Sequence, residues 1–530
     1  MSQPFRLNKE GLINRNKKIS FTFNGKKLFG YEGDTIASAL IANGIHLVGR
    51  SFKYHRPRGF FGAGVEEPNA KLQVEFNGHS EPNVNATEME LVEGLSATSQ
   101  NCWPSVNFDV GAINNFLKMF FPAGFYYKTF MWPKSFWYKI YEPFIRKAAG
   151  LGVASIEKDK ERYEHKFEYC DLLVTGSGPS GLASAYAAAK NGAKVILAED
   201  KPRFGGTLLT DDVSIDNLSG KDWAEKIISE LKSMPNVTVK NRSQVFGYYD
   251  HNMLVMFERV SDHLEKKSKF TPRQRLWYIR AKETILSTGS IERPIVFGNN
   301  DTPGIFLSAA AKEYMKVYGV LVGKKPLIFT NNDSAYETAL EFKKNNVEPI
   351  ILDTREEHSS ELIDEAKSKG IDIRFSHGVI VANGYKKVKS AKIGKLNKDK
   401  NSFEKIETVD CDCICVSGFW TPSVHLASQS GNKLKYEEKI DAFIPDKKKQ
   451  HETSVGAANG SFTLEESLKN GFENGSNLSA KITDTKTEIA IPNVNEKKYG
   501  AHDKFWCMPL PKNENPKRFV DFQNDVSVSD

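Results

Sequence analysis

The segment from Cys170 to Glu199 constrains this chain more than any other. Cys170-Asp171-Leu172-Leu173-Val174-Thr175 is the kind of apolar run that forms a parallel strand buried on both faces. It passes into Gly176-Ser177-Gly178-Pro179-Ser180-Gly181 and then into a small-residue helix over residues 182–189. Asn191-Gly192 end that helix, residues 193–198 form the next strand, and Glu199 stands 18 residues beyond Gly181. Each residue type has a physical task. Gly176 permits a tight turn, Gly178 lets the backbone approach a pyrophosphate, and Gly181 with Ala185 lets helix and strand close up. The helix start offers N–H groups and a partial positive charge to phosphate oxygens. Glu199 can accept a hydrogen bond from a ribose hydroxyl and repels a 2′-phosphate, which favours NAD or FAD over NADP. A glycine triplet alone is weak evidence, but strand, turn, helix, strand and acid in this order make a dinucleotide site. Asp200 and Lys201 either touch the adenosine or are ordinary loop charges. Gly205-Gly206-Thr207 extend the pattern as a second glycine pair where backbone approaches the ligand.

Later segments build a larger frame. Residues 283–290 read as a strand closing on Thr288-Gly289, the return crossing between two nucleotide domains. Residues 326–352 form a second strand–helix–strand unit whose glycine fingerprint is replaced by Asn331-Asn332-Asp333. It is either a structural relic or a second nucleotide site. Residues 454–460, rich in small residues, sit where such folds bring a strand end and helix start back onto the first dinucleotide. Near the N-terminus, alternating runs flank Asn24-Gly25, a strong hairpin signal. Asp34-Thr35 then cap a helix over residues 36–42 that ends at Asn43-Gly44. A hairpin, a helix and a long loop read as a β-grasp module. Such modules often hold a two-iron cluster on cysteines in that loop, but here the loop has none.

The fold expected is therefore α/β: a two-dinucleotide-binding-domain flavoprotein (disulfide-reductase-like) fold preceded by a cluster-free β-grasp, ferredoxin-like module. The expected divisions are the module over 1–95 and an aromatic-rich connecting segment over 96–165. The NAD(FAD)-binding Rossmann-like domain takes 166–315 and 418–480, the degenerate second domain 316–417, and a C-terminal tail or linker 481–530, loosely folded and polar over 481–518.

Composition excludes several classes. Apolar residues at 40% and charged residues at 26% are ordinary for a globular chain, and a net charge of +7 over 530 residues gives no concentrated field for nucleic acid. Six cysteines are too few for a disulfide scaffold. Arg6, Lys9, Arg15, Lys17 and Lys18 precede a polar stretch rather than an apolar run, so no secretory leader is expected; no stretch reaches 18 apolar residues, so no membrane span is expected, and a cytoplasmic location is. No C-x2-C or C-x4-C pair accompanies the fingerprint, so no catalytic residue is assigned. Cys411, Cys413 and Cys415 read as buried strand thiols rather than a metal site, and no metal ligand set is expected. The dense aromatics of residues 108–144 could pack internally, form a subunit interface or lie on a membrane surface. His55, beside Arg56 and Arg58, either meets an anion or partner or is a hydrogen-bonded loop histidine.

Six strings extend beyond the fingerprint: Phe52-Lys53-Tyr54-His55-Arg56-Pro57-Arg58-Gly59, residues 176–181, Phe246-Gly247-Tyr248-Tyr249-Asp250, Gly289-Ser290-Ile291-Glu292-Arg293-Pro294, Asn331-Asn332-Asp333-Ser334-Ala335-Tyr336 and Phe519-Val520-Asp521-Phe522-Gln523-Asn524-Asp525. Together they make the chain resemble the α subunit of heterotetrameric bacterial sarcosine oxidase, from about residue 15 onward. The resemblance implies an enzyme complex that demethylates sarcosine, reduces O2 to hydrogen peroxide and passes the one-carbon unit to tetrahydrofolate. It implies β, γ and δ partners, with FAD and FMN on the β chain and NAD on this one. It implies NAD contacts at Ser180, Glu199, Asp200, Lys201 and Thr207, and further ones at Val245, Ala457, Phe462 and Leu464. The family's folate-binding half is missing here, which implies a split gene or a fragment, with folate held on a separate chain. Two other readings stand beside this one: an FAD-binding subunit of a related opine or amino-acid dehydrogenase, and a structural subunit whose nucleotide only stabilises the fold.

Overall fold

A computed structural model describes residues 2–76, 78–116, 131–148 and 150–530. The chain divides into two compact units. One comprises Met1–Asp159, Arg293–Phe419 and Tyr499–Asp530; the other comprises Lys160–Glu292 and Trp420–Lys498.

The first unit opens with the hairpin. Strands Asn14–Phe23 and Lys26–Glu32 pair antiparallel around Asn24 and Gly25, both at positive φ (49° and 75°), as a two-residue hairpin turn requires. Ile19, Phe21 and Phe23 alternate inward and are buried. These strands belong to a five-stranded sheet that also contains Ser96–Ser99, Lys71–Phe76 and His79–Asn85. Helix Ile36–Ala42 is capped by Thr35, whose side chain accepts from the Ser38 N–H, and every side chain in it is buried.

The same unit holds a parallel sheet in the order Ile305–Leu307, Cys413–Ser417, Pro326–Thr330, Ile350–Asp353, Asp372–Phe375. This corrects one expected boundary. Residues 293–315 do not complete the first nucleotide domain, because Ile305–Leu307 pairs with Cys413–Ser417. A three-residue strand carries no periodicity that says which sheet it joins.

The basic string after the capped helix fastens the module to this second sheet. Arg56 grips Asp301 with two bonds of 2.6 and 2.7 Å, and Arg58 reaches the same carboxylate at 2.5 Å. Arg58 also pairs with Asp525, whose other oxygen accepts the Lys53 and Tyr54 N–H groups at 2.8 and 3.0 Å. The loosely folded tail expected over 481–518 is corrected in its later part, where Phe505 and Met508 are buried, as are Phe519 and Asp525 beyond it. Phe505, Met508 and Phe519 are too widely spaced to announce an element, and only their partners reveal their role.

Acid should loosen this clamp. Burial alone would raise the Asp301 carboxyl, but Arg56 and Arg58 hold it below the usual carboxylate range. A carboxylate depressed on folding stabilises fully above its unfolded value near 4, and that stability is lost as pH falls through the folded value. The melting temperature should therefore not respond to Asp301 between about pH 7 and pH 5. Below about pH 4 it should fall more steeply in the parent than in Asp301→Asn, measured by circular dichroism.

The aromatic segment is not internally packed where it is described. Trp103, Phe116, Trp132 and Tyr138 are 70%, 83%, 82% and 82% exposed. Phe120, Phe121, Phe125, Tyr126, Tyr127 and Phe130 lie outside the described residues.

In the second unit, strands run in the order Val237–Lys240, Val195–Ala198, Tyr163–Thr175, Gln274–Leu286, Met253–Arg259, Ser243–Tyr249. The first four are parallel, and the last two extend the sheet as antiparallel neighbours. Helix Pro179–Lys190 covers one face and is covered in turn by helix Leu464–Thr483. That approach is close because Gly471 and Gly475 face it: a Cβ at Gly471 would come within 2.8 Å of Ala183 Cβ. Ser184 Oγ spans the seam, donating to Ser180 O (2.7 Å) and Gly471 O (3.1 Å). Among the described residues no helix is long and apolar enough to cross a membrane.

Candidate functional site

Strand Tyr163–Thr175 delivers the chain to Gly176, whose N–H bonds Ala198 O (2.7 Å) and whose φ of +92° favours glycine. The turn is held from one side by Ser287, whose Oγ donates to Thr175 O (2.6 Å) and Gly176 O (2.8 Å). Nothing local in the sequence marks Ser287 for this role beyond the Thr288-Gly289 close of its own strand. Gly181 sits one turn into helix Pro179–Lys190, and a Cβ there would be 2.5 Å from Ser287 Oγ and closer still to Gly176 O. Gly178 differs. A Cβ on it would meet nothing within 4 Å, so this edge of the turn is open space at the start of a helix that no side chain caps. Helix N–H groups and an open glycine edge are what an anionic diphosphate needs.

Three further segments converge on this turn. Gly205 N–H bonds Ser177 O (3.1 Å), and a Cβ on Gly206 would lie 3.0 Å from Gly178 Cα, so the 205–207 loop crosses directly over the fingerprint. Thr207 is exposed in the short turn Gly206–Leu209. Ser180 is buried, with Gly456 against it: a Cβ on Gly456 would sit 2.8 Å from Ser180 Cβ. That contact brings the turn Gly456–Asn459, including Ala457, over the helix start, and Leu464 joins the core with Leu182 and Val174. Phe462 is half-buried between that turn and the closing helix. Val245 packs from the neighbouring strand onto the cluster containing Ile196 and Ala198.

Glu199 ends its strand with a buried carboxylate. It accepts from Ser177 N–H (2.8 Å), Ser177 Oγ (2.5 Å) and Lys201 N–H (3.0 Å). Burial first, and then Asp200 beside it, push its carboxyl up to about 8. Arg259 holds the Asp200 carbonyl at 2.9 Å. Ser177, Ser180, Glu199, Gly206 and Gly456 thus meet around one turn.

Residues 16–102 match the family described as a 2Fe-2S iron-sulfur cluster binding domain, and residues 170–454, more than half the chain, match pyridine nucleotide-disulphide oxidoreductases. The chain belongs to the pyridine nucleotide-disulphide oxidoreductase family. This family member is 42% identical over 99% of its length to sarcosine oxidase subunit alpha of Rhizobium meliloti (strain 1021), covering 52% of that protein. It is 30% identical over its whole length to the same subunit of Corynebacterium sp. (strain U-96), covering 51%. It thus spans about half the length of these relatives. Its fold is shared with L-proline dehydrogenase from P. horikoshii: TM-score 0.60 at 19% identity, over 92% of this chain and 77% of that one.

In this oxidoreductase the second strand–helix–strand unit is filled by the chain itself. Asn331 exchanges bonds with Asp503: its carbonyl accepts the Asp503 N–H (3.0 Å) and its side chain donates to Asp503 O (2.7 Å). Asp333 accepts the Gly500 N–H (2.7 Å) and pairs with Arg355 (2.7 Å), while Arg355 donates to Ala501 O (2.9 Å). Asp353, which ends the second strand as Glu199 does in the first, is taken by Arg355 (2.7 Å) and the Tyr336 hydroxyl (2.8 Å). Asn331, Asp333 and Asp353 thus take their partners from within the chain.

The cysteines are arranged for packing. Cys413 and Cys415 are buried within one strand, and burial pushes the Cys411 and Cys170 thiols up to about 12. Thiols held protonated in this way are poor nucleophiles. Among the described residues no group of three or more His, Cys, Asp or Glu side chains is poised to hold a metal.

Proposed function

We propose that this chain is the NAD-binding α-type part of a sarcosine oxidase complex, soluble in the cytoplasm and assembled with β-, γ- and δ-type chains. In the reaction sarcosine, O2 and tetrahydrofolate give glycine, H2O2 and 5,10-methylenetetrahydrofolate. FAD and FMN reside on the β-type partner, and folate on a separate half or chain. The single observation that carries the nucleotide reading is the contrast within the fingerprint. Gly176 and Gly181 are glycine because protein fills the space beside them, whereas Gly178 is glycine beside empty space. The 42% identity to a sarcosine oxidase α subunit supports the complex.

The chain's own residues then bind and orient. Ser180, Gly181 and the 205–207 loop would hold the diphosphate; Glu199, with Asp200 and Lys201, would hold a ribose; Val245, Ala457, Phe462 and Leu464 would wall the adenosine side. NAD, when bound, supplies a hydride acceptor; no acid or base of this chain is assigned to that chemistry. The β-grasp module is inferred to carry no cluster. Its loop has no cysteine before Cys102, and His55, Arg56 and Arg58 there are engaged by Asp109, Asp301 and Asp525.

The nucleotide released when the purified chain is denatured tests this reading. One equivalent of NAD and no flavin is expected, and FAD instead would overturn it in favour of a dehydrogenase flavoprotein. Gly178→Val should cut nucleotide affinity at least 100-fold while leaving the melting temperature within a degree or two, because the side chain enters open space. Sarcosine-dependent peroxide on reconstitution with a β-type chain tests the complex.

A further inference from the structure

We propose that Ser177 is a positioning residue of the nucleotide site: it fixes Glu199 to receive the 2′-hydroxyl of the adenosine ribose and pins the 205–207 loop over the fingerprint. The inference rests on reading this turn as an NAD site. It goes beyond that reading by giving a role in ribose recognition to a residue that acts through others.

Ser177 lies between the first two glycines of the fingerprint and is wholly buried. Its N–H (2.8 Å) and its Oγ (2.5 Å) both donate to Glu199 Oε2. The Oγ distance is that of a hydroxyl bonded to a charged acceptor. The Lys201 N–H holds the other oxygen, Oε1, at 3.0 Å. Ser177 also meets the glycine pair, because the Gly205 N–H reaches both its carbonyl (3.1 Å) and its Oγ (3.3 Å). One hydroxyl thus joins the carboxylate that ends the second strand to the loop that crosses Gly178.

A serine that served only its own turn would bond backbone groups a few residues away. The partners here stand 22 and 28 residues along the chain. For a ligand this arrangement acts in two ways. A glutamate side chain has rotamer freedom that binding must otherwise remove, and three donors have already removed it. Burial and Asp200 push the Glu199 carboxyl toward its neutral form, and the Ser177 and Lys201 donors oppose them, favouring the ionised acceptor.

The test is calorimetric titration of the full chain with NAD and with its analogue lacking the 2′-hydroxyl of the adenosine ribose. The parent should prefer NAD by about tenfold or more, the worth of one hydrogen bond to a charged group. Ser177→Ala should weaken NAD binding about tenfold and reduce the preference to about threefold or less, with little change in melting temperature. Ser177→Cys, which keeps the bulk and donates only weakly, should behave in the same way. In a Glu199→Gln background Ser177→Ala should no longer change the preference, because the two residues act as one unit. An equal loss of affinity for both nucleotides would make Ser177 a packing residue and overturn this inference. So would a parent-like preference in Ser177→Ala, or a change in preference that survives Glu199→Gln. A parent that binds NAD and its analogue equally overturns it too and leaves the NAD reading standing. A folded parent that binds neither sinks the NAD reading, and this inference with it.

Discussion

Gly181→Val should abolish nucleotide binding and destabilise the second unit by about 3 kcal/mol or more, at the upper end of what overpacking a tight site costs. The cause is geometric. A Cβ at this position falls 2.5 Å from Ser287 Oγ and nearer still to Gly176 O, and neither can retreat easily. Ser287 is tied to Thr175 O and Gly176 O, and Gly176 N–H is tied to Ala198 O. Relief would require the helix to lift from its strand, which also pulls it from the Gly471 and Gly475 seam. Calorimetric titration with NAD and a urea melt of the same variant check both halves. Set beside Gly178→Val, the pair separates packing from binding within one fingerprint: both lose nucleotide, and only Gly181→Val loses stability. Equal stability of the two variants would mean that the turn can relax and that the close packing described here does not constrain it.

Asp525→Ala should cost about 3–5 kcal/mol, the range for removing one partner of a buried ion pair. Arg58 is 1% exposed and shares its charge between Asp301 and Asp525. Without Asp525 it keeps only Asp301, which Arg56 already grips, and the Lys53 and Tyr54 N–H groups lose their acceptor. Most of the loss is the penalty of a stranded charge rather than the worth of the bond. Arg58→Met/Asp525→Asn should therefore be more stable than Asp525→Ala, because it removes the charge and keeps an acceptor for the two N–H groups. Urea melts of Asp525→Ala and of the double variant measure the difference. A double variant no better than Asp525→Ala would mean that neither the stranded charge nor the lost acceptor accounts for the cost.

These two sites show where local sequence stops being informative. The first dinucleotide turn is legible because its determinants are neighbours: strand, glycines, small-residue helix and Glu199 lie within 30 residues, and each acts through backbone conformation or the next element. The hairpin at Asn24-Gly25 and the Thr35-capped helix are legible for the same reason. The family resemblance reached further than periodicity could, because strings such as 52–59 and 519–525 carry it without any local structural meaning.

What the sequence by itself determined is thus the dinucleotide turn, the hairpin and capped helix, and the succession of strand–helix–strand units, all set by conformational preferences over a few residues. Only the tertiary structure decided that Ile305–Leu307 joins the second sheet, and that residues 499–505 fill the crevice beside Asn331 and Asp333. It also decided that the basic string 53–58 is spent on Asp301 and Asp525, some 245 and 467 residues away along the chain. Such pairings depend on which surfaces meet, and neither composition nor period encodes the partner of a charge or of a three-residue strand.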